Sequence, residues 1–141
     1  AVMAMIARGY LKLDPFEVWG DGEQIRNWTY VDDIVSGTIA AAEHINDGTS
    51  INLGTMERIK VKDCAQQVID TLNPGISIKL LTDKPTGPLN RVASNALAQQ
   101  LLGWSPQTKF ADGLQKTIDW YVNSKTTEQA SADLTRKLVG R

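Results

Sequence analysis

Cysteine and histidine, the residues most often recruited to metals and to nucleophilic chemistry, occur once each in this chain, as Cys64 and His44. A lone cysteine excludes an intramolecular disulfide and a cysteine-built metal cluster. A lone histidine leaves little scope for a Ser–His or Cys–His pair. A basic excess is missing as well: 15 lysines and arginines face 16 aspartates and glutamates, for a net charge of −1. Nucleic acid is therefore an unlikely partner, since its phosphates need a basic patch to hold them. No apolar run reaches the length that spans a bilayer. The opening AVMAMIARGYLKL is mildly apolar, but it lacks a basic start and Arg8 interrupts it, so it does not read as a signal peptide. A cytoplasmic setting without membrane partners is expected, and the Asn27-Trp28-Thr29 acceptor triplet is taken as chance. Also missing is a glycine-rich loop that follows a strand and opens a helix, so no phosphate cradle for a dinucleotide can be drawn.

What is present is an ordinary globular composition, 42% hydrophobic and 22% charged over 141 residues. That is enough for one domain with a real core. The most informative stretch is FEVWGDGEQIRNWTYVDD, residues 16–33. Phe16 and Val18 alternate with polar neighbours, Gly20-Asp21-Gly22 breaks the run, and Trp28 to Val31 forms a second extended run. The pattern predicts strand, turn, strand. Asp32 and Asp33 then sit where a helix begins and can accept the free N–H groups of its first turn. Arg26 is the strong cation of the unit, and its planar fork suits a phosphate or carboxylate.

Along the rest of the chain, residues 3–13 read as a short helix closed by Asp14-Pro15. Residues 33–46 form an amphipathic helix with a stripe of Ile34, Val35, Thr38, Ile39, Ala42 and Ile45. Ser50 to Leu53 reads as a short strand. A second amphipathic helix covers 60–72, with Val61, Cys64, Ala65, Val68, Ile69 and Leu72 as its apolar face. Ile76 to Leu81 alternates as a strand, and Thr82 to Asn90 is a loop. Ser94-Asn95 caps a short helix ended by Gly103, and residues 111–123 form another. The segment 124–141 is expected to be a polar tail, weakly helical or disordered.

Three blocks in this order resemble a known family: WGDGEQIRNWTYVDD (19–33), SINLG (50–54), and NRVASNALAQQLLGWSP leading to FADGLQKTIDWY (90–106, 110–121). Residues 1–123 are similar to the C-terminal, substrate-binding portion of extended short-chain dehydrogenases/reductases, the nucleotide-sugar epimerase/dehydratase family. FEVWGDG echoes the GDP-mannose 3,5-epimerases. RNWTYVDD and the LGW block echo the dTDP-glucose 4,6-dehydratases. The resemblance implies an α/β (α+β) fold, a small sheet of short strands with amphipathic helices, lacking the Rossmann sheet. The family carries its NAD loop and its catalytic Tyr-x-x-x-Lys in the N-terminal two thirds. This chain is therefore expected to bind no cofactor of its own, to perform no hydride chemistry, and to carry no Tyr-x-x-x-Lys at Tyr10, Tyr30 or Tyr121.

The resemblance also implies a nucleotide-diphosphate-sugar partner. The arginine of the GDGxQxR block, here Arg26 with Gln24 and Ile25 beside it, contacts the diphosphate in the family. A second arginine before the LGW helix, here Arg91, grips the same group, and Arg8 would be the counterpart of a basic residue that approaches the nucleotide in some members. Ser94 stands where the family has Asp, and it can cap but not orient Arg91 by charge. The bland alternatives are a surface arginine on a β-ribbon for Arg26 and a solvated helix residue for Arg8. Trp19, Trp28, Trp104 and Trp120 read as core packing ahead of base stacking, and Cys64 reads as a small hydrophobe. In the family the helix at 33–46 packs against the dinucleotide-binding domain. Its stripe here is expected to need cover from that missing domain, from a second copy or from rearranged helices. Beside the binding portion of an enzyme stands the alternative of a non-catalytic binding or oligomerisation module.

Overall fold

A computed structural model of the chain describes residues 1–139, with side chains through residue 136. Six helices and five strands follow in the order α1 (Val2–Tyr10), β1 (Phe16–Trp19), β2 (Ile25–Arg26), α2 (Val31–His44), β3 (Ile59–Lys60), α3 (Val61–Leu72), β4 (Ile78–Leu81), β5 (Asn90–Arg91), α4 (Ala96–Leu102), α5 (Phe110–Ser124) and α6 (Thr127–Val139). The mixed α/β class is as the sequence suggests. No described helix is long and apolar enough to cross a membrane. The chain divides into two compact units: Ala1–Gln24 and Lys60–Leu89 with the chain from Gln115, and Ile25–Ile59 with Asn90–Leu114.

In the first unit β1 pairs with β4 in parallel, Phe16 against Ile78 through Trp19 against Leu81. Phe16 and Val18 point inward and are buried, as alternation demands. Helix α3 covers this pair with Cys64, Ala65, Val68 and Ile69, all essentially inaccessible. Each large apolar side chain so buried contributes about 1.5–3 kcal/mol. Helix α1 lies against α3 with Ile6 fully buried. Their approach depends on Gly9, where a Cβ would fall 2.9 Å from Val68 Cγ1 and 3.1 Å from Leu72 Cδ1.

The segment after Ser124, expected as a polar tail that is weakly helical or disordered, takes the helical course. Through residue 139 it forms α6, because two signals outweigh its polar composition. Thr126 and Gln129 make a reciprocal capping box, Gln129 N–H donating to Thr126 Oγ1 at 3.3 Å and Thr126 N–H to Gln129 Oε1 at 3.1 Å. Ala130 and Leu134, one turn apart, are buried, and the helix packs on α1. The side chains of Leu138 and Val139 lie outside the described residues.

The second unit holds β2 and β5 in a three-stranded sheet of order β3-β2-β5. Its core contains Ala98, Trp104, Phe110 and Leu114. Trp28 stacks on Phe110 with ring centroids 5.7 Å apart. The hairpin that the Asp-Gly signal suggests does not form. Strand β1 takes β4 and strand β2 takes β5, and β2 comprises Ile25–Arg26 while Trp28 to Tyr30 lead extended into α2. The turn itself is real: Gly20 and Gly22 have φ of 79° and 74°, and Asp21 Oδ1 accepts the Glu23 N–H at 3.0 Å. It redirects the chain into another sheet.

Two further expectations are corrected. Ser50 to Leu53 forms no strand, since an extended segment needs a partner for its backbone groups. Asp32 and Asp33 do lie in the first turn of α2, but the helix has no side-chain cap. The buried Asp33 carboxylate turns instead to the loop after α4, where Oδ1 accepts Gln107 N–H at 2.9 Å and Oδ2 accepts Thr108 N–H at 3.0 Å. The apolar stripe of α2 remains wet, with Val35 50% and Ile39 55% exposed.

Candidate functional site

The register of the β2–β5 pair sets Ile25 opposite Asn90 and Arg26 opposite Arg91. The strands run parallel, about 4.8 Å apart, so register partners project from the same face. Two arginines separated by more than sixty positions in sequence are thereby placed side by side. Like charges directly opposite one another in a sheet repel. An anion with several oxygens relieves that repulsion, and two planar forks on one face are suited to bind it at adjacent phosphoryl groups. Arg91 is exposed and Arg26 half-buried. Arg26 Nη1 donates to the carbonyl of Ile25 at 2.7 Å, which draws the guanidinium along its own strand.

The surroundings of β2 are built by short polar clamps. Asn27 Nδ2 donates to Thr55 O at 3.0 Å, and Thr55 N–H donates to Thr29 Oγ1 at 2.9 Å. Thr55 is buried. The Asn27 amide is thus used inside the fold. Ser94 Oγ accepts the Ala96 N–H at 3.3 Å from just before the helix, while the N-cap residue of α4, Asn95, makes no side-chain cap, unlike the Ser94-Asn95 cap expected. Glu57 Oε1 accepts Phe110 N–H at 2.8 Å and so satisfies the start of α5 from a distance.

The other sequence-predicted residues lie elsewhere. Ile25 shares the second unit with the arginines, whereas Arg8 and Gln24 belong to the first. Arg8 is not the solvated helix residue of the bland reading. It is 9% exposed, and its Nη1 lies 3.5 Å from Glu17 Oε2 on β1. Gln24 is 3% exposed, and its Nε2 donates to Trp19 O at 3.0 Å. Among the described residues its Oε1 has no partner. Beside it Glu23 is clasped by Lys60 and Lys62; these hydrogen bonds, that of Lys60 foremost, hold the exposed carboxyl down at about 2.

One tyrosine does have a lysine four residues on: Tyr121 with Lys125. The spacing expected to be absent is therefore present once, in a setting built for packing. Tyr121 is 1% exposed, its hydroxyl has no partner among the described residues, and burial pushes its pKa up. Lys125 Nζ pairs with Asp133 at 3.2 Å, and its carbonyl accepts the Tyr10 hydroxyl at 2.9 Å. No group of three or more metal-ligating side chains occurs among the described residues. Cys64 is buried on the apolar face of α3, and burial pushes its thiol up to about 12.

Sequence reasoning missed the loop clamp of Asp33 and the contact of Thr86 with Gly20, where a Cβ on the glycine would lie 2.1 Å from Thr86 Cγ2. The Asp33 bonds are long-range and leave no local signal. The glycine next to an Asp-Gly pair does mark a special turn, but not what fills it.

Comparison with known proteins gives a consistent picture. The family model described as GDP-mannose 4,6 dehydratase matches residues 1–117. GDP-mannose 3,5-epimerase 1 of Oryza sativa subsp. indica is 29% identical over 120 residues, covering 85% of this chain and 31% of the relative. The dTDP-glucose 4,6-dehydratase of Escherichia coli is 30% identical over 128 residues, covering 82% and 35%. The crystal structure of UDP-glucuronic acid 4-epimerase from Bacillus cereus, in complex with UDP-glucuronic acid and NAD, superposes with a TM-score of 0.75 at 30% identity, over 85% of this chain and 38% of that one. The chain spans about a third of the length of these curated relatives.

Proposed function

The chain belongs to the short-chain dehydrogenase/reductase family of nucleotide-sugar epimerases and dehydratases, and we propose that it supplies the substrate-binding portion of such an enzyme, with Arg26 and Arg91 as anchors for the diphosphate. The observation that carries this reading is the register that sets Arg26 opposite Arg91 in a parallel strand pair. A diphosphate carries adjacent anionic groups, and each planar fork donates two hydrogen bonds to one of them. The hydride chemistry and the NAD site belong to the remaining part of the enzyme. The family's Tyr-x-x-x-Lys role is not taken by Tyr121 and Lys125, whose groups face the packing of α1 and α6. The exposed stripe of α2 and the unpaired segment Ser50 to Leu53 support a missing N-terminal dinucleotide-binding portion as the cover. A stand-alone binding or oligomerisation module, with a second copy on α2, is the alternative.

Calorimetric titration with UDP-glucuronic acid, GDP-mannose and dTDP-glucose tests the proposal. At least one is expected to bind. Arg26→Ala and Arg91→Ala are each expected to weaken that binding by roughly ten- to a hundredfold, since a hydrogen-bonded charged group contributes about 1.5–3 kcal/mol. No binding by the unaltered chain, or binding that survives Arg26→Ala unchanged, overturns it and leaves the module reading. Titration with NAD is expected to be blank.

A further inference from the structure

A pair of two-residue strands has few ladder bonds with which to hold its own register, and here the pair also opposes two like charges. Something outside β2 and β5 must keep Arg91 beside Arg26. The chain enters β2 directly after Gln24 and β5 directly after Leu89. Just before those points the two segments touch. Gly20 has φ of 79°, and a Cβ built on it would lie 2.1 Å from Thr86 Cγ2 and 2.6 Å from Gln24 Nε2. The threonine methyl and the glutamine amide fill the space that any side chain at position 20 would need. Hydrogen bonds fix both sides of this contact. Gly20 N–H donates to Leu81 O at 2.8 Å, Lys84 N–H donates to the same carbonyl at 3.1 Å, and Gln24 Nε2 donates to Trp19 O at 3.0 Å. The carbonyl of Gln24 accepts Val61 N–H at 3.0 Å, which holds the residue to the start of α3.

We propose that Gly20, Gln24 and Thr86 form a latch that positions the two arginines, an inference that rests on the reading of Arg26 and Arg91 as the diphosphate anchor. Gln24 precedes Arg26 by two residues and Thr86 precedes Arg91 by five. Five extended residues reach at most about 18 Å, so seating Thr86 on Gly20 restricts how far β5 can stray from β2. Gln24 is thereby a positioning residue that acts through Arg26, in place of the ligand contact its neighbourhood suggests.

Thr86→Ser tests the latch, because it removes only the methyl group that fills the glycine gap and keeps the hydroxyl. Thr86→Ala removes both and serves as the second variant. Hydrogen–deuterium exchange is followed at residues 25–26 and 90–91, with urea unfolding as the global control and UDP-glucuronic acid, GDP-mannose and dTDP-glucose as the ligand probes. Exchange at these amides is expected to accelerate in Thr86→Ser, by less than the roughly fourfold that one fully buried methyl group gives because Thr86 is exposed, and further in Thr86→Ala. Affinity for the nucleotide sugar that binds is expected to fall by a similar factor, with no added loss in the Arg26→Ala background. Unchanged exchange at residues 25–26 and 90–91 overturns the latch whatever the ligand does. Accelerated exchange in a protein that binds none of the three probes supports the latch and overturns the diphosphate reading alone.

Discussion

Replacing Asp33 tests how the second unit is held together. The side chain is 5% exposed, and each carboxylate oxygen accepts one backbone N–H, from Gln107 at 2.9 Å and from Thr108 at 3.0 Å. A hydrogen bond to a charged group contributes about 1.5–3 kcal/mol net. Gln107 is exposed and Thr108 half-buried, so their amides regain some solvation when the carboxylate goes. Allowing for that, Asp33→Ala is expected to destabilise the protein by about 2–4 kcal/mol. Asp33→Asn retains one acceptor but turns an N–H₂ group towards the other amide, and is expected to cost about 1–3 kcal/mol. Equilibrium unfolding in urea, followed by the fluorescence of the buried Trp104, reads both. That tryptophan lies in the same network, its Nε1 donating to Ser36 Oγ at 3.0 Å while Ser36 donates to the Asp33 carbonyl at 2.9 Å. An unfolding midpoint for Asp33→Asn equal to that of the unaltered chain would refute the assignment of Asp33 as the clamp of the 104–108 loop.

Two ionisable groups give further tests. The Glu23 carboxyl is expected to titrate near 2 by NMR, held down by Lys60 and Lys62; because its folded pKa is depressed, its contribution to stability is present above about pH 4.5 and is lost as pH falls through 2. Glu23→Gln should remove that acid dependence, and 1 M salt should move the titration back towards 4.5, since exposed pairs are screened. A thiol-specific reagent at neutral pH is expected to leave Cys64 unmodified in the folded chain and to react at once in denaturant, because the thiol is buried and raised to about 12. Rapid modification of the folded protein would show that α3 is not packed as described.

The helices were readable in advance where a buried face recurs every three to four residues. Cys64, Ala65, Val68 and Ile69 on α3 are such a case, and the structure buries all four. The strands were readable only in part. Phe16 and Val18 alternate as a strand should, but which strand they pair with is a long-range fact that an Asp-Gly turn cannot reveal. Ser50 to Leu53 has a strand's composition and no partner, so local propensity had nothing to act on. The tail read as weakly helical or disordered from its polarity, and Thr126 and Gln129 spell the capping box that starts its helix. At the candidate site the resemblance picked out Arg26 and Arg91, and the register that sets them side by side follows only from the fold. The burial of Arg8 is the opposite case. A basic residue near a helix end reads as solvated until Glu17 on the neighbouring strand is known to meet it.

The parallel pairing of the short strands has a consequence for how the molecule comes into being. Phe16 meets Ile78 and Ile25 meets Asn90 across 62 and 65 residues. Contacts so distant in sequence form slowly, because loop-closure entropy opposes them before any packing rewards them. A nascent chain therefore carries Arg26 as an isolated charge until residue 91 has emerged and the intervening helix α3 has folded. The face that pairs Arg26 with Arg91 is not complete before then. A polyanion present earlier in folding meets one arginine, and only the finished protein offers two.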